Sequence, residues 1–278
     1  MSTVKNVISI IENDGIPMYV KPFLKLVKSM SADELRDLYG EDSPNFEKKM
    51  TNFVRLYHKH CHFESDFNPE YHNPPFQETQ CQMLKSGIAK ITLFTFELSD
   101  EKVSKQYTDY IVSFLDANPL MKGLVLDFRK HKGGNMWPLV KALQRYLNDS
   151  SLFAWTIHRN PLGKNGWINW IKGKWKTDQP FLVGSTPKYP IAVLIGPQTA
   201  SSGEFVASCF INRPNCMLFG KQTRGYLSGN ETRHVHGYAF TFPTVLQTSR
   251  DGKYQEHIDP DVVTTRPLKD AIDWITAS

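Results

Sequence analysis

From Gly87 onward the chain alternates short, almost wholly apolar runs with amphipathic stretches of helical length, and this alternation restricts its architecture more than any other feature. Residues 88–96, 123–128 (GLVLDF), 189–195 and 216–219 read as strands, whereas 100–115, 138–147, the segment after Ser201 and 266–275 read as helices. Short apolar runs with hardly a polar break need cover on both faces, which strands of a partly parallel sheet receive from the helices that connect them. The pattern predicts an α/β (α+β) fold with a mixed sheet covered by helices.

Residues 1–75 have a different rhythm and read as a helical subdomain. Ser31, Ala32, Asp33 and Glu34 form a capping box, and Asp42, Ser43 and Pro44 announce a second helix whose apolar positions are Phe46, Met50, Phe53, Val54 and Tyr57. Residues 67–78, with Pro69, Asn73, Pro74 and Pro75, read as an exposed connection. The remaining residues, 76–278, form the core, into which 152–183 is inserted. That insertion interleaves Trp155, Trp167, Trp170 and Trp175 with Arg159, Lys164, Lys172, Lys174 and Lys176. It reads as an excursion packed on the body or as a cap over bound peptide, because aromatic side chains give large contact area at small entropic cost.

Composition narrows the function classes. Of 278 residues 40% are hydrophobic and 22% charged, enough apolar material for a globular core and too much for a disordered chain. The net charge of +5 comes from scattered residues, so no nucleic-acid partner is expected, although the tryptophan-rich insertion resembles a stacking platform in composition. Lys5, Glu12, Asp14, Lys21, Lys25 and Lys28 interrupt any signal-peptide core, and no apolar run reaches the roughly 18 residues of a membrane span. The expectation is a cytoplasmic chain without a membrane span. Cys61, Cys81, Cys209 and Cys216 lack paired metal-ligand or redox spacing and read as free thiols, and no cofactor motif is found.

Two segments could carry chemistry. In residues 191–207, IAVLIGPQTASSGEFVA, a buried strand ends at Gly196 and Ser201 arrives at the start of a helix. That geometry presents a nucleophilic side chain beside free backbone N–H groups, although Thr199, Ser201 and Ser202 are also ordinary helix caps. In residues 124–138, LVLDFRKHKGGNMWP, a strand runs into the charged pair Asp127 and Arg129 and then into Gly133 and Gly134. Paired glycines can aim N–H groups at a neighbouring site or merely make a tight turn. His58, His60 and His62 alternate in HKHCHFES, which reads as a base, as packed histidines or, on a strand, as a set of zinc ligands; a metal is not expected.

Taken together, LVLDFRKHKGGN, TASSGE, the Gly220, Thr223 and Gly225 element and the run IDPD at 258–261 resemble, in order, the motifs of the S41 peptidases, the C-terminal processing or tail-specific proteases. The resemblance covers roughly residues 87–276. It departs where those proteases carry a general-base lysine, since Tyr226 stands at that position. TASSGE, GGNMWP and TRGYLSGN are closer to the nisin resistance protein-like branch, which lacks a PDZ domain and pairs its serine with a histidine.

The resemblance implies a serine peptidase acting on peptides or protein C-terminal segments through an acyl-enzyme, without a cofactor. Ser201 would be the nucleophile and His62 the base, with His60 the alternative in a shifted register. Ser202, Gly133 and Gly134 would supply the oxyanion hole, and Glu204, Asp127 and Arg129 would support it. Thr223, Gly225, Tyr226, Ser228 and Asn230 would line the substrate groove. The loss of the usual lysine also admits a second reading, an inactive S41-like domain that binds peptide or another ligand. The sequence does not specify an oligomeric state.

Overall fold

The computed structural model describes residues 2–38, 45–65, 79–97, 100–147, 154–157, 171–172, 188–248 and 255–278. The expected helix start at 42–44, the connection at 67–78 and most of the 152–183 insertion lie outside these residues. The chain divides into two compact units: one made of 1–72, 155–171 and 228–247, the other of 73–154, 172–227 and 248–278.

The first unit opens with four helices, α1 (Thr3–Asp14), α2 (Pro17–Ser29), α3 (Ala32–Leu38) and α4 (Phe46–Val54), and then strand β1 (His62–Ser65). Val4, Val7 and Ile11 recur at helical spacing and are fully buried. The Ser31–Glu34 capping box is formed: the Glu34 carboxylate accepts from the Ser31 backbone N–H, and the Ser31 hydroxyl accepts from the Glu34 N–H. Aromatic side chains at helical spacing on α4 build much of the core, with Phe53 against Phe23 at 5.5 Å and Phe46 edge-on to Phe63 at 5.8 Å. Buried Tyr57 keeps its hydroxyl satisfied by accepting from Ile16 N–H and donating to Pro243 C=O.

The second unit follows the predicted alternation. Its elements are β2 (Gln80–Met83), β3 (Ile88–Phe96), α5 (Glu101–Ala117), β4 (Gly123–Gly134), α6 (Trp137–Leu143), β7 (Ile191–Ile195), α7 (Ser202–Ser208), β8 (Cys216–Gly220), β11 (Val262–Val263) and α8 (Pro267–Ala277). Strands β5 (Ala154–Ile157), β6 (Ile171–Lys172), β9 (Ser228–Val235) and β10 (Tyr238–Thr248) join β1 in a separate sheet of order β1-β10-β5-β6, with β9 paired to β10.

The sheet of the second unit has the order β11-β8-β7-β4-β3-β2. All its pairings are parallel except the edge strand β2, so the expected mixed sheet is present. Every residue of β7 is buried, which explains the unbroken run IAVLI. Ala271 and Ile275 of α8 cluster with Ile88, Val125, Ala192, Leu194 and Phe219, each larger side chain contributing about 1.5–3 kcal/mol on burial. Asp100, the first residue of the expected helix, stands outside α5 as its cap and accepts from Val103 N–H.

One strand is longer than the sequence suggests. The expected strand at 123–128 continues to Gly134, because β3 runs alongside it to Phe96 and irregularities after Thr92 and Phe94 absorb the extra residues of β4. The double glycine therefore ends a strand that reaches the neighbourhood of Ser201. No helix among the described residues is long and apolar enough to cross a membrane.

Candidate active site

The segment between β7 and α7 is hydrogen-bonded at Gly196, Thr199, Ala200 and Ser201. Thr199 is fully buried; its hydroxyl accepts from Gly196 N–H at 3.0 Å and donates to Phe128 C=O at 3.0 Å. Ala200 N–H donates to His131 C=O, and Thr199 C=O accepts from Arg224 N–H. Ser201 follows with φ 50° and ψ −121°, a conformation that a residue with a side chain rarely adopts. Such strain, of order 1–3 kcal/mol, persists only where surrounding bonds over-determine the backbone, and here they do. The result is a sharp strand-to-helix turn that sets the serine side chain at the end of the sheet.

Gly133 and Gly203 make room for this turn. A side chain on Gly133 would bring its Cβ to 3.0 Å from Ser201 Cβ and 3.5 Å from its Oγ, so the glycine turn lies directly against the hydroxyl. A Cβ on Gly203 would stand 2.6 Å from His131 C=O and 2.9 Å from its Nδ1, so α7 can settle on β4 only with glycine there. Ser202, the first residue of α7, has one of the backbone N–H groups that a helix start leaves unbonded. Its buried hydroxyl has no hydrogen-bond partner among the described residues.

His131 links the two walls, a role the sequence does not reveal. Its backbone carbonyl holds Ala200, and its Nδ1 accepts from Gly133 N–H at 3.3 Å, engaging one of the N–H groups expected at an oxyanion hole. The side chain is 1% exposed, and burial pushes its pKa from the usual 6.5 down to about 4. The unfolded chain therefore binds the proton more readily between those values, so the contribution of neutral His131 is full above pH 6.5 and is lost as pH falls towards 4. Its loss amounts to about 3 kcal/mol. Urea unfolding of wild type and His131→Leu at pH 7 and pH 4.5 should show a markedly smaller acid loss in the variant; equal losses would remove His131 as the acid-sensitive element.

Glu204 is completely buried one helical turn after Ser201. One carboxylate oxygen accepts from Ser201 N–H at 3.0 Å and Tyr226 N–H at 2.7 Å, and the other accepts from Gly225 N–H at 2.7 Å. Burial raises its pKa against the opposing effect of these bonds and of the Thr223 hydroxyl. Thr223 also exchanges two bonds with Ile258, its N–H donating to the carbonyl and its hydroxyl accepting from the Ile258 N–H. Asp261 accepts from Leu218 N–H on β8, so the IDPD run fastens both the 223–226 loop and the sheet edge. Tyr226 contributes its backbone N–H to Glu204 and lies under the Arg224 guanidinium, 5.0 Å from the ring centre.

Asp127 is 3% exposed within β4, where the Arg129 Nε and Nη2 groups donate to its two oxygens at 2.8 and 2.6 Å. This forked pair satisfies a carboxylate that would be costly to bury alone.

The histidine run belongs to the first unit, and its members point to different partners. His58 is buried against Tyr19 at 4.9 Å, and its Nδ1 accepts from His60 N–H. His60 precedes β1, and its Nδ1 lies 2.7 Å from Ser228 Oγ. His62 opens β1 and pairs through Nε2 with Glu64 at 3.0 Å. Among the described residues no group of three or more His, Cys, Asp or Glu side chains gathers to hold a metal. Farther along, His236 bonds through Nδ1 to Thr3 and through Nε2 to Asn6, fastening the β9–β10 turn to α1.

Comparison with known proteins extends these observations. Residues 87–264 match the model of peptidase family S41. The nisin-resistance protein of Lactococcus lactis subsp. lactis is 31% identical over 192 residues, which span 66% of this chain and 59% of that protein. A lipoprotein from Streptococcus agalactiae has the same fold over 100% of this chain and 97% of its own, with a TM-score of 0.76 at 24% identity. A candidate peptidase from Parabacteroides merdae aligns over 99% and 94% of the two chains, with a TM-score of 0.62 at 14% identity.

Proposed function

The chain belongs to peptidase family S41, and from that premise we propose that it is a serine peptidase that cleaves peptides or protein C-terminal segments by acyl transfer at Ser201. Ser201 Oγ attacks the scissile carbonyl. A histidine of the HKHCHFES run, His62 or His60, takes the hydroxyl proton and returns it to the leaving amine, after which water releases the acyl group. Backbone N–H groups of Ser202 and of Gly134 receive the developing oxyanion, each worth roughly 3 kcal/mol at such sites, because the Gly133 N–H is given to His131 Nδ1. Glu204 holds the nucleophile turn to the 223–226 loop, and Asp127 with Arg129 stiffens the strand that carries the glycines. Thr223, Gly225 and Tyr226, with Ser228 and Asn230, meet the substrate.

The observation that carries this reading is the conformation of Ser201, held at positive φ by bonds on both sides of the turn, with Gly133 cleared from its hydroxyl. An ordinary helix cap needs no such strain. The test is labelling of the pure chain with a fluorophosphonate, followed by peptide mapping and assay against a library of quenched peptides. Modification at Ser201 together with loss of cleavage is expected. Peptide binding without modification at Ser201 would replace the peptidase with a binding protein built on the same fold.

A further inference from the structure

We propose that Arg224, held against the Tyr226 ring, is a specificity-determining residue that binds a carboxylate of the peptide substrate at the edge of the nucleophile turn. The proposal rests on the serine-peptidase reading above and deepens it by naming the chemistry of the substrate. Backbone bonds clamp the loop that carries Arg224 to that turn. Arg224 N–H donates to Thr199 C=O at 2.9 Å, two residues before the nucleophile. Glu204 accepts from Gly225 N–H and Tyr226 N–H, and the oxygen that takes Tyr226 also takes Ser201 N–H. Burial alternates along the loop: Thr223, Gly225 and Leu227 are buried, whereas Arg224 is exposed and Tyr226 half-buried. The two outer side chains meet, with the guanidinium 5.0 Å from the centre of the Tyr226 ring.

Electrostatics single out this guanidinium. Among the described residues no Asp or Glu pairs with Arg224, and none pairs with exposed Lys221, whose N–H donates to Ile195 C=O at the end of β7. The carboxylates that touch the loop are engaged otherwise. Glu204 takes the backbone N–H groups on its inner side, while Asp259 accepts from Gln222 Nε2 at 2.9 Å and lies 3.5 Å from His257 Nε2. The loop thus brings two positive charges to the nucleophile turn with no described carboxylate to neutralise them. Of the two, the arginine is the better binding group. Its planar fork matches a carboxylate, and stacking on an aromatic face orients it in advance, so little freedom is lost on binding. The ammonium of Lys221 is a flexible point charge. The bound carboxylate is either the α-carboxylate of the peptide or an acidic side chain within it.

Quenched peptides in a Gly, Ala and Leu background, made in pairs, test the proposal. One pair ends in a free acid or an amide; the others place Glu or Gln at successive positions. Wild type is expected to cleave one acid form with a kcat/KM roughly tenfold above that of its neutral twin, the value of a charge-assisted hydrogen bond. The pair that responds identifies the bound group as α-carboxylate or side chain. That ratio should fall to about one in Arg224→Gln and to an intermediate value in Arg224→Lys, which keeps the charge without the fork. Tyr226→Leu should lower it as well, and Tyr226→Phe should preserve it. Lys221→Gln should change it by less than about twofold, as befits an exposed charge without a fixed partner. Equal cleavage of both members of every pair by the wild type would overturn the proposal, as would an undiminished ratio in Arg224→Gln. A loss in Lys221→Gln as large as in Arg224→Gln would replace the arginine site with a diffuse positive rim. A chain that neither cleaves peptide nor is labelled at Ser201 by a fluorophosphonate would overturn the peptidase reading alone. The affinities of the Ser201→Ala chain for fluorescent forms of the same acid and neutral peptides, read by anisotropy, still decide the role of Arg224.

Discussion

Ser201→Ala is expected to lower peptide hydrolysis by roughly 10⁴–10⁶-fold, the loss that follows removal of an acyl-forming hydroxyl from a site whose other groups work only with it. Stability should hardly change, because alanine keeps the Cβ and therefore the positive-φ strain, and the backbone bonds to Glu204, His131 and Arg224 do not use the hydroxyl. Ser201→Gly gives the complementary result. Glycine adopts φ 50° without steric cost, so the variant should be as inactive as Ser201→Ala but relieved of strain of order 1–3 kcal/mol. The greater freedom of unfolded glycine takes back about 1 kcal/mol of that gain. Steady-state kinetics and urea unfolding on the same preparations separate the two effects. Retention of activity within tenfold of wild type by Ser201→Ala would sink the assignment of the nucleophile; a Ser201→Gly chain less stable than Ser201→Ala would show that the turn stores no strain.

Parts of this architecture are plain in the sequence because burial on both faces dictates composition. The runs IAVLI and GLVLDF can hardly be anything but interior strands, and β7 and the first half of β4 are just that. The second half of β4 escapes the same reasoning. RKHKGG has no apolar alternation, and it remains in the sheet because Arg129 is drawn onto Asp127 and the ladder irregularities take up the extra length. His131 is hidden for a related reason: a histidine between two lysines looks solvated, and only the missing Cβ at Gly203 and the return of the chain at Ala200 enclose it. The histidine run poses a question of phase. Spacing of two puts His58, His60 and His62 on one face only if all three are in a strand, but β1 begins at His62, so the earlier two lie in a turn and reach different neighbours.

Glu204→Ala is expected to destabilise the chain by at least about 3 kcal/mol, since three backbone N–H groups, on Ser201, Gly225 and Tyr226, lose their acceptor at a site closed to water, at about 1–3 kcal/mol for each group left unsatisfied. The spacing of Ser201 and Glu204 hints at a helix cap, but two of the three donors come from a loop more than twenty residues away, which makes the carboxylate a clasp between separate segments. Glu204→Gln should fall between wild type and alanine: its carbonyl oxygen can retain Ser201 and Tyr226, while its amide N–H₂ is left facing the Gly225 N–H. The pH dependence has a definite sign. Because burial raises the folded pKa above 4.5, the folded state holds the proton more tightly than the unfolded chain, so this group's favourable contribution is full below 4.5 and declines as pH rises through the raised value. Both variants should lose that decline in urea unfolding between pH 4 and pH 7. The clasp also predicts a kinetic effect: with the 223–226 loop released from the nucleophile turn, fluorophosphonate labelling of Ser201 should slow in Glu204→Ala under conditions where the chain is still folded. Wild-type labelling in a folded but destabilised variant would confine Glu204 to stability and separate it from the presentation of the serine.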